Sequence, residues 1–237
     1  MSDDLVLQNL TEPYFYPGSR NGCLILHGFG GSPQEAQALG EHLASAGYTV
    51  SGARLAGHGR STSDFYSSRF DAWLESANRA FDELNTHCTS VVIVGFSLGG
   101  GLGLQLARAH SFAGLVTMGS RVLPLASRRP RTSRLLHAAV PWRDPSYEAR
   151  EQLREAVACA QEALPYVHVP ALIMHGLEDD SVTVENARAI FEGVATQRKE
   201  LVLWDATGHD MLTSGPHRQG IFVRVSTFVG AVSLSNE

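Results

Sequence analysis

The sequence predicts an α/β fold, a mostly parallel central sheet covered by helices on both faces. Three observations carry this. Short apolar runs rich in β-branched residues alternate with segments of helical periodicity, as in a parallel sheet whose crossovers are helices. The 237 residues suit one large domain better than two small ones. Finally, Val91-Val92-Ile93-Val94 leads into Gly95-Phe96-Ser97-Leu98-Gly99 and then into an apolar stretch with helical spacing, giving the order strand, tight turn, helix.

Gly22 to Leu26 reads as the first buried strand; strands before Gly22 are hard to see, so a sheet trimmed at that edge is expected. Ser32-Pro33-Gln34-Glu35 opens a helix, with Ser32 as cap, Pro33 in the first turn and Glu35 completing a capping box. Leu39 and Leu43 share one face of it, and Gly47 to Val50 turns into the next strand. Phe70, Trp73, Leu74, Ala77, Phe81 and Leu84 recur at spacings of three and four, which predicts a helix with one buried face. After the Ser97 turn and its helix, strands are expected within Phe112–Met118, over Val169–Met174 and over Leu201–Trp204. Helices are expected over Glu185–Val194 and around Ile221–Val229. Between Gly119 and about Val167 prolines and arginines interrupt the rhythm before a helical stretch from Ser146 to Leu164. The expected organisation is a core of residues 1–119 and 168–237 with a cap inserted at 120–167, too short to sustain a core of its own.

Composition narrows the functional classes. A net charge of −5, from 19 basic and 24 acidic residues, gives nothing to attract nucleic acid. Three scattered cysteines, Cys23, Cys88 and Cys159, argue against a disulfide framework or a zinc site. The acidic start lacks a signal pattern and no apolar run is long enough to span a bilayer, so a cytoplasmic protein without stable membrane insertion is expected.

Ser97 sits where a strand-to-helix turn strains the backbone and lifts the hydroxyl into the open. A serine hydroxyl is a poor nucleophile at neutral pH and needs a base, which in turn needs a carboxylate. In this type of fold the order is serine, acid, histidine. Of ten histidines, only His209, in Thr207-Gly208-His209 after the last strand, has the right placement. The acid lies in Glu178-Asp179-Asp180, after the strand that ends at Gly176. An oxyanion hole also requires two backbone N–H groups. Leu98 supplies one at the start of its helix, and Phe29, in the loop His27-Gly28-Phe29-Gly30-Gly31, supplies the other.

Four motifs together, His27 to Gly31, Gly57-His58-Gly59-Arg60-Ser61, Gly95 to Gly100 and Thr207 to His209, make the sequence resemble the α/β-hydrolase superfamily, and within it the small carboxylesterase and monoacylglycerol lipase group. The likeness spans about Gly22 to Val229. The acid of that family usually stands three residues after a strand-ending glycine, which implies Asp179. The resemblance further implies a structural His58, no metal or organic cofactor, and a hydrophobic acyl pocket under a short helical cap. Phe29, Phe96, Met118, Leu123, Leu135, Leu136 and Trp142 are its candidate walls. The expected activity is hydrolysis of short- to medium-chain acyl esters or monoacylglycerols by a monomer or homodimer. The same triad also serves thioesterases, acyltransferases and C–C hydrolases, and a non-catalytic ligand-binding relative is a further alternative.

Overall fold

In the computed structural model, which describes residues 11–125 and 147–233, the strands join into one seven-stranded sheet in the order β1-β3-β2-β4-β5-β6-β7, and β4, β5 and β6 are buried at every position. The strands are β1 Tyr14–Tyr16, β2 Asn21–Leu26, β3 Thr49–Ala53, β4 Ser90–Phe96, β5 Gly114–Met118, β6 Ala171–Gly176 and β7 Lys199–Trp204. All neighbours pair in parallel except β1, which runs antiparallel along β3 with Phe15 opposite Ser51. The sheet therefore extends beyond Gly22, contrary to the trimmed edge expected from the sequence. Three residues are too few to show a period, and β1 is held by pairing and by the Tyr14 hydroxyl donating to the Ala36 carbonyl.

The helices are α1 Gln37–Ser45, α2 Thr62–Ser67, α3 Phe70–His87, α4 Leu98–Leu106, α5 Tyr147–Ala163, α6 Glu185–Gly193 and α7 Arg218–Ser233. A 3-10 turn over Pro33–Ala36 precedes α1. Side chains alternate across each strand, so the sheet feeds two apolar layers. Leu24, Leu26, Ile93, Leu115 and Ile173 face Trp73 and Phe81 of α3, Leu102 of α4, Ala160 of α5 and Ile190 of α6. Cys23, Ile25, Val92, Val94, Val116 and Leu172 face Leu39 and Leu43 of α1 and Ile221, Phe222, Val225 and Val229 of α7. Burying one such large side chain contributes roughly 1.5–3 kcal/mol, and these two layers hold the strand ends in place.

Helix α5, within the segment expected to form a cap, packs into the first layer through Ala156, Ala160 and Ala163, and its Gln152 side chain accepts the Phe70 N–H that opens α3 at 2.8 Å. The remainder of the expected cap lies largely outside the described residues. Where the chain leaves β5, the side-chain Oδ1 of buried Asn186 accepts the N–H groups of Val122 and Leu123 at 3.0 and 2.9 Å.

Register aligns the carboxyl ends of the parallel strands: Leu26 stands opposite Gly95, Phe96 opposite Met118, Met118 opposite Met174 and Gly176 opposite Trp204. Loops leaving one edge of a parallel sheet converge, and ligands in such folds bind there. The loops carrying Phe29, Ser97, Asp179 and His209 all leave from this edge.

Candidate active site

Ser97 stands between β4 and α4 with φ 52° and ψ −115°, one of two non-glycine residues with positive φ among those described. Such a conformation costs of order 1–3 kcal/mol and persists because its neighbours fix it. The Ser97 N–H donates to the Met118 carbonyl at 2.8 Å, and its carbonyl accepts the Gly100 N–H at 3.2 Å. A side chain at Gly95 would put its Cβ 2.4 Å from the Gly100 backbone, and one at Gly99 would put it 2.1 Å from the Leu26 carbonyl oxygen. The helix can approach β2 that closely only with glycines there.

His209 Nε2 lies 3.1 Å from Ser97 Oγ, and His209 Nδ1 lies 2.7 Å from Asp179 Oδ2. Asp179 is buried, and its other oxygen accepts the N–H groups of Ser181 and Val182 at 2.9 and 2.7 Å. Burial alone would raise its carboxyl. The His209 hydrogen bond and charge, the Val182 N–H and His175 outweigh that and hold it below the usual carboxylate range. Asp180 points outward, its carboxylate accepting the neighbouring Ser181 hydroxyl at 3.3 Å, and Glu178 is exposed as well. Of the three acids in this loop, the structure brings Asp179 to the histidine.

The acid and histidine loops are tied to each other by backbone. The Leu177 N–H donates to the Trp204 carbonyl at 2.9 Å and the Glu178 N–H to the Thr207 carbonyl at 3.0 Å. His175, at the end of β6, donates from Nε2 to the Val182 carbonyl at 2.8 Å and stands 3.5 Å from Asp179 Oδ2. It braces the acid loop, a role that its position on a buried strand end did not single out in the sequence. Burial lowers its imidazole below the usual range and favours the neutral form.

The loop after β2 lies beside the serine, since a Cβ added at Gly28 would be 3.3 Å from Ser97 Cβ. His27 Nε2 accepts the Leu55 N–H at 3.2 Å, which leaves the proton on Nδ1 to donate to the Gly28 carbonyl at 2.9 Å. The Gly31 N–H donates to the same carbonyl at 3.1 Å. The Gly28 C=O and the Phe29 N–H belong to one planar trans peptide, so fixing the first fixes the direction of the second. The Phe29 ring is wedged edge-on between Phe65 and Trp73, with centroids 5.0 and 5.7 Å away, and His58 completes the cluster. Burial and each other's proximity push the imidazole of His27 down to about 3, and burial takes His58 to about 4, so both are neutral braces. Leu98 opens α4, where the first N–H groups have no partner within the helix. A helix N-terminus of this kind favours negative charge beside it.

The pocket residues expected from the sequence separate. The Phe96 ring flanks His209 with centroids 5.0 Å apart. Leu123 is partly buried at the point where the 120–167 segment begins. Met118 is fully buried in the layer against α7, because it shares the parity of Val116 on β5; it presents no surface to a ligand. Leu135, Leu136 and Trp142 lie outside the described residues.

Glu35 was not recognised from the sequence as part of the site. Ser32 makes no side-chain cap bond, and the Glu35 carboxylate instead accepts the Gly28 N–H at 2.8 Å, so the expected capping box does not form. A capping box does form at Ser61 and Asp64, where α2 begins.

Comparison with known proteins agrees with this fold. The family model described as Hydrolase_4, serine aminopeptidase S33, matches residues 18–149. The thermostable monoacylglycerol lipase of Bacillus sp. (strain H-257) is 31% identical, the alignment covering 85% of this chain and 88% of the lipase. The carboxylesterase of Bacillus subtilis (strain 168) is 22% identical over 84% of this chain and 88% of that enzyme. A solved structure from work on LipS and LipT, two metagenome-derived lipolytic enzymes, superposes with a TM-score of 0.81 at 28% identity, covering 93% of this chain and 98% of the other. The chain belongs to the Hydrolase_4 (serine aminopeptidase, S33) family and is a serine hydrolase of the α/β-hydrolase fold.

Proposed function

We propose that this serine ester hydrolase cleaves short- to medium-chain acyl esters, monoacylglycerols among them, through an acyl-enzyme on Ser97. The observation that carries the proposal is the continuous line of contacts from Asp179 through His209 to Ser97, at 2.7 and 3.1 Å. His209 Nδ1 keeps its proton against the Asp179 carboxylate, which leaves Nε2 free to take the Ser97 proton as Oγ attacks the acyl carbon. Charge on the former carbonyl oxygen is met by the N–H groups of Phe29 and Leu98, each worth on the order of 3 kcal/mol to the transition state. His209 then protonates the departing alcohol, and water repeats the sequence on the acyl-enzyme.

The substrate range draws support from the monoacylglycerol lipase and carboxylesterase relatives. Phe96 and Leu123, with Leu135, Leu136 and Trp142 from the 120–167 segment, are proposed to line the acyl pocket, and an apolar pocket favours an alkyl chain over a charged one. A cytoplasmic setting belongs to the same proposal and fits three free cysteines. Among the described residues, no helix is long and apolar enough to cross a membrane.

The test is a panel of p-nitrophenyl acyl esters and monoacylglycerols assayed with the native protein and with Ser97→Ala. The proposal expects turnover of the native protein to fall by several orders of magnitude in Ser97→Ala. Undiminished hydrolysis by the variant would refute it, and turnover of thioesters in preference to every oxygen ester would redirect the substrate class.

A further inference from the structure

Glu35 is a titratable group beside the serine loop that the mechanism does not use. The residue is partly buried, and its carboxyl turns inward, away from the Ser32 cap that sequence logic assigned to it. Oε2 accepts the Gly28 N–H at 2.8 Å across the turn. A Cβ added at Gly28 would touch Glu35 Oε2 at 3.1 Å on one side and Ser97 Cβ at 3.3 Å on the other, so the carboxylate and the serine border the same gap. On the far side of the loop, Oε2 would stand 2.7 Å from a Cβ at Gly31. The carboxyl therefore fills the inside of the turn from Gly28 to Gly31.

We propose that Glu35 is a positioning residue of the oxyanion hole, holding the Gly28 N–H so that the next peptide aims the Phe29 N–H at the reacting carbonyl. The inference rests on the esterase reading above and deepens it. Both polar groups of Gly28 are then clamped: the N–H by Glu35, the C=O by His27 Nδ1 and the Gly31 N–H. The two clamps act on consecutive peptide planes. Releasing the first frees Gly28 to rotate about its own φ and ψ, which glycine does at little cost. Donors displaced by a few tenths of an ångström lose the advantage of being arranged before the reaction begins. Burial pushes the Glu35 carboxyl above its ordinary range, against the pull of the Gly28 N–H and of His209. A carboxyl oxygen accepts the Gly28 N–H in either protonation state, so the clamp does not depend on the charge of Glu35.

The experiment compares Glu35→Ala, Glu35→Gln and Glu35→Asp with the native protein on acetyl, butyryl and octanoyl p-nitrophenyl esters. Concentrations are set by titration with a fluorophosphonate, so that kcat refers to sites able to be acylated. Glu35→Ala is expected to lose about 10- to 100-fold in kcat with KM nearly unchanged, by the same factor on all three esters. Glu35→Gln keeps an acceptor for Gly28 and is expected to recover activity to within about threefold of native. Glu35→Asp, one methylene shorter, falls between them. If Glu35→Ala yields no soluble protein, the comparison of Asp with Gln decides. A kcat within twofold of native in Glu35→Ala, a loss that depends on acyl length, or a Gln variant as impaired as Ala overturns the inference. Ser97→Ala is run in parallel: activity surviving there indicts the esterase reading, whereas an inactive Ser97→Ala beside a fully active Glu35→Ala indicts only the role of Glu35.

Discussion

Replacing Asp179 by asparagine changes one oxygen into an amide nitrogen and removes one charge. The oxygen that accepts the Ser181 and Val182 N–H groups can stay an oxygen, so the loop has no reason to move. The other position, 2.7 Å from His209 Nδ1, becomes a donor facing a donor. The imidazole relieves this by moving its proton to Nε2, which then donates to Ser97 and cannot accept from it. The imidazolium formed during attack also loses its counter-charge. At that spacing and an effective dielectric near 20, the attraction is about 6 kcal/mol before any desolvation is subtracted. Triads that lose the acid in this way drop about 10⁴-fold in kcat, about 5 kcal/mol, and Asp179→Asn is expected to fall within about tenfold of that. Asp180→Asn removes an exposed carboxylate that accepts the Ser181 hydroxyl and does not touch His209, and it should change kcat less than about twofold. The assay is kcat/KM on a p-nitrophenyl ester near pH 7.5, with circular dichroism to verify folding. An Asp179→Asn variant within tenfold of native, or an Asp180→Asn variant equally damaged, would refute this account of how the base is held.

Two more predictions follow from the surroundings of the site. Gly119 has φ +55°, and a Cβ there would lie 3.3 Å from His209 Nδ1; Gly119→Ala should destabilise the fold by about 1 kcal/mol and lower kcat roughly tenfold, and urea titration alongside kinetics that find neither would show the histidine to be less confined than described. His27, His58 and His175 are buried with lowered pKa values, whereas an unfolded chain protonates them below about pH 6.5. The unfolded state thus binds more protons as pH falls, and stability is lost from about 6.5 towards the folded values near 4 and 3. Glu35, with its raised carboxyl, works in the opposite direction and offsets at most one proton. Urea unfolding at pH 6.5, 5.5 and 4.5 should therefore show a loss of about 1 kcal/mol or more per pH unit, and a flat profile would mean that these imidazoles are not buried neutral.

Much of the site was legible because its signals are local and repeated. The run Val91–Val94, the Gly95–Gly99 turn and the helix behind it report the same backbone event three times over. Strand ends in register turn chain order into spatial proximity, which is why the position of His209 after the last strand sufficed to bring it to Ser97. The choice of Asp179 over Asp180 came from the family spacing; the physical reason is the Ser181 and Val182 N–H groups that turn one carboxylate inward. Other features left no local trace. β1 and α2 are too short to show a period, and α2 buries only Phe65. Glu35 satisfied a local rule and was read by it, while its true partner lies seven residues back across a turn. Met118 was misassigned to the pocket even though strand parity, shared with Val116, already pointed it to the opposite layer.

The most direct test of the central claim is the mass of the protein during turnover. Rapid acid quenching with a p-nitrophenyl butyryl ester, followed by intact-mass and peptide analysis, should reveal a single butyryl group on the peptide containing Ser97 and none in Ser97→Ala. Steady turnover with Ser97 never modified, or a butyryl group carried on a different side chain, would contradict the claim that this serine, activated by His209 and Asp179, is the nucleophile.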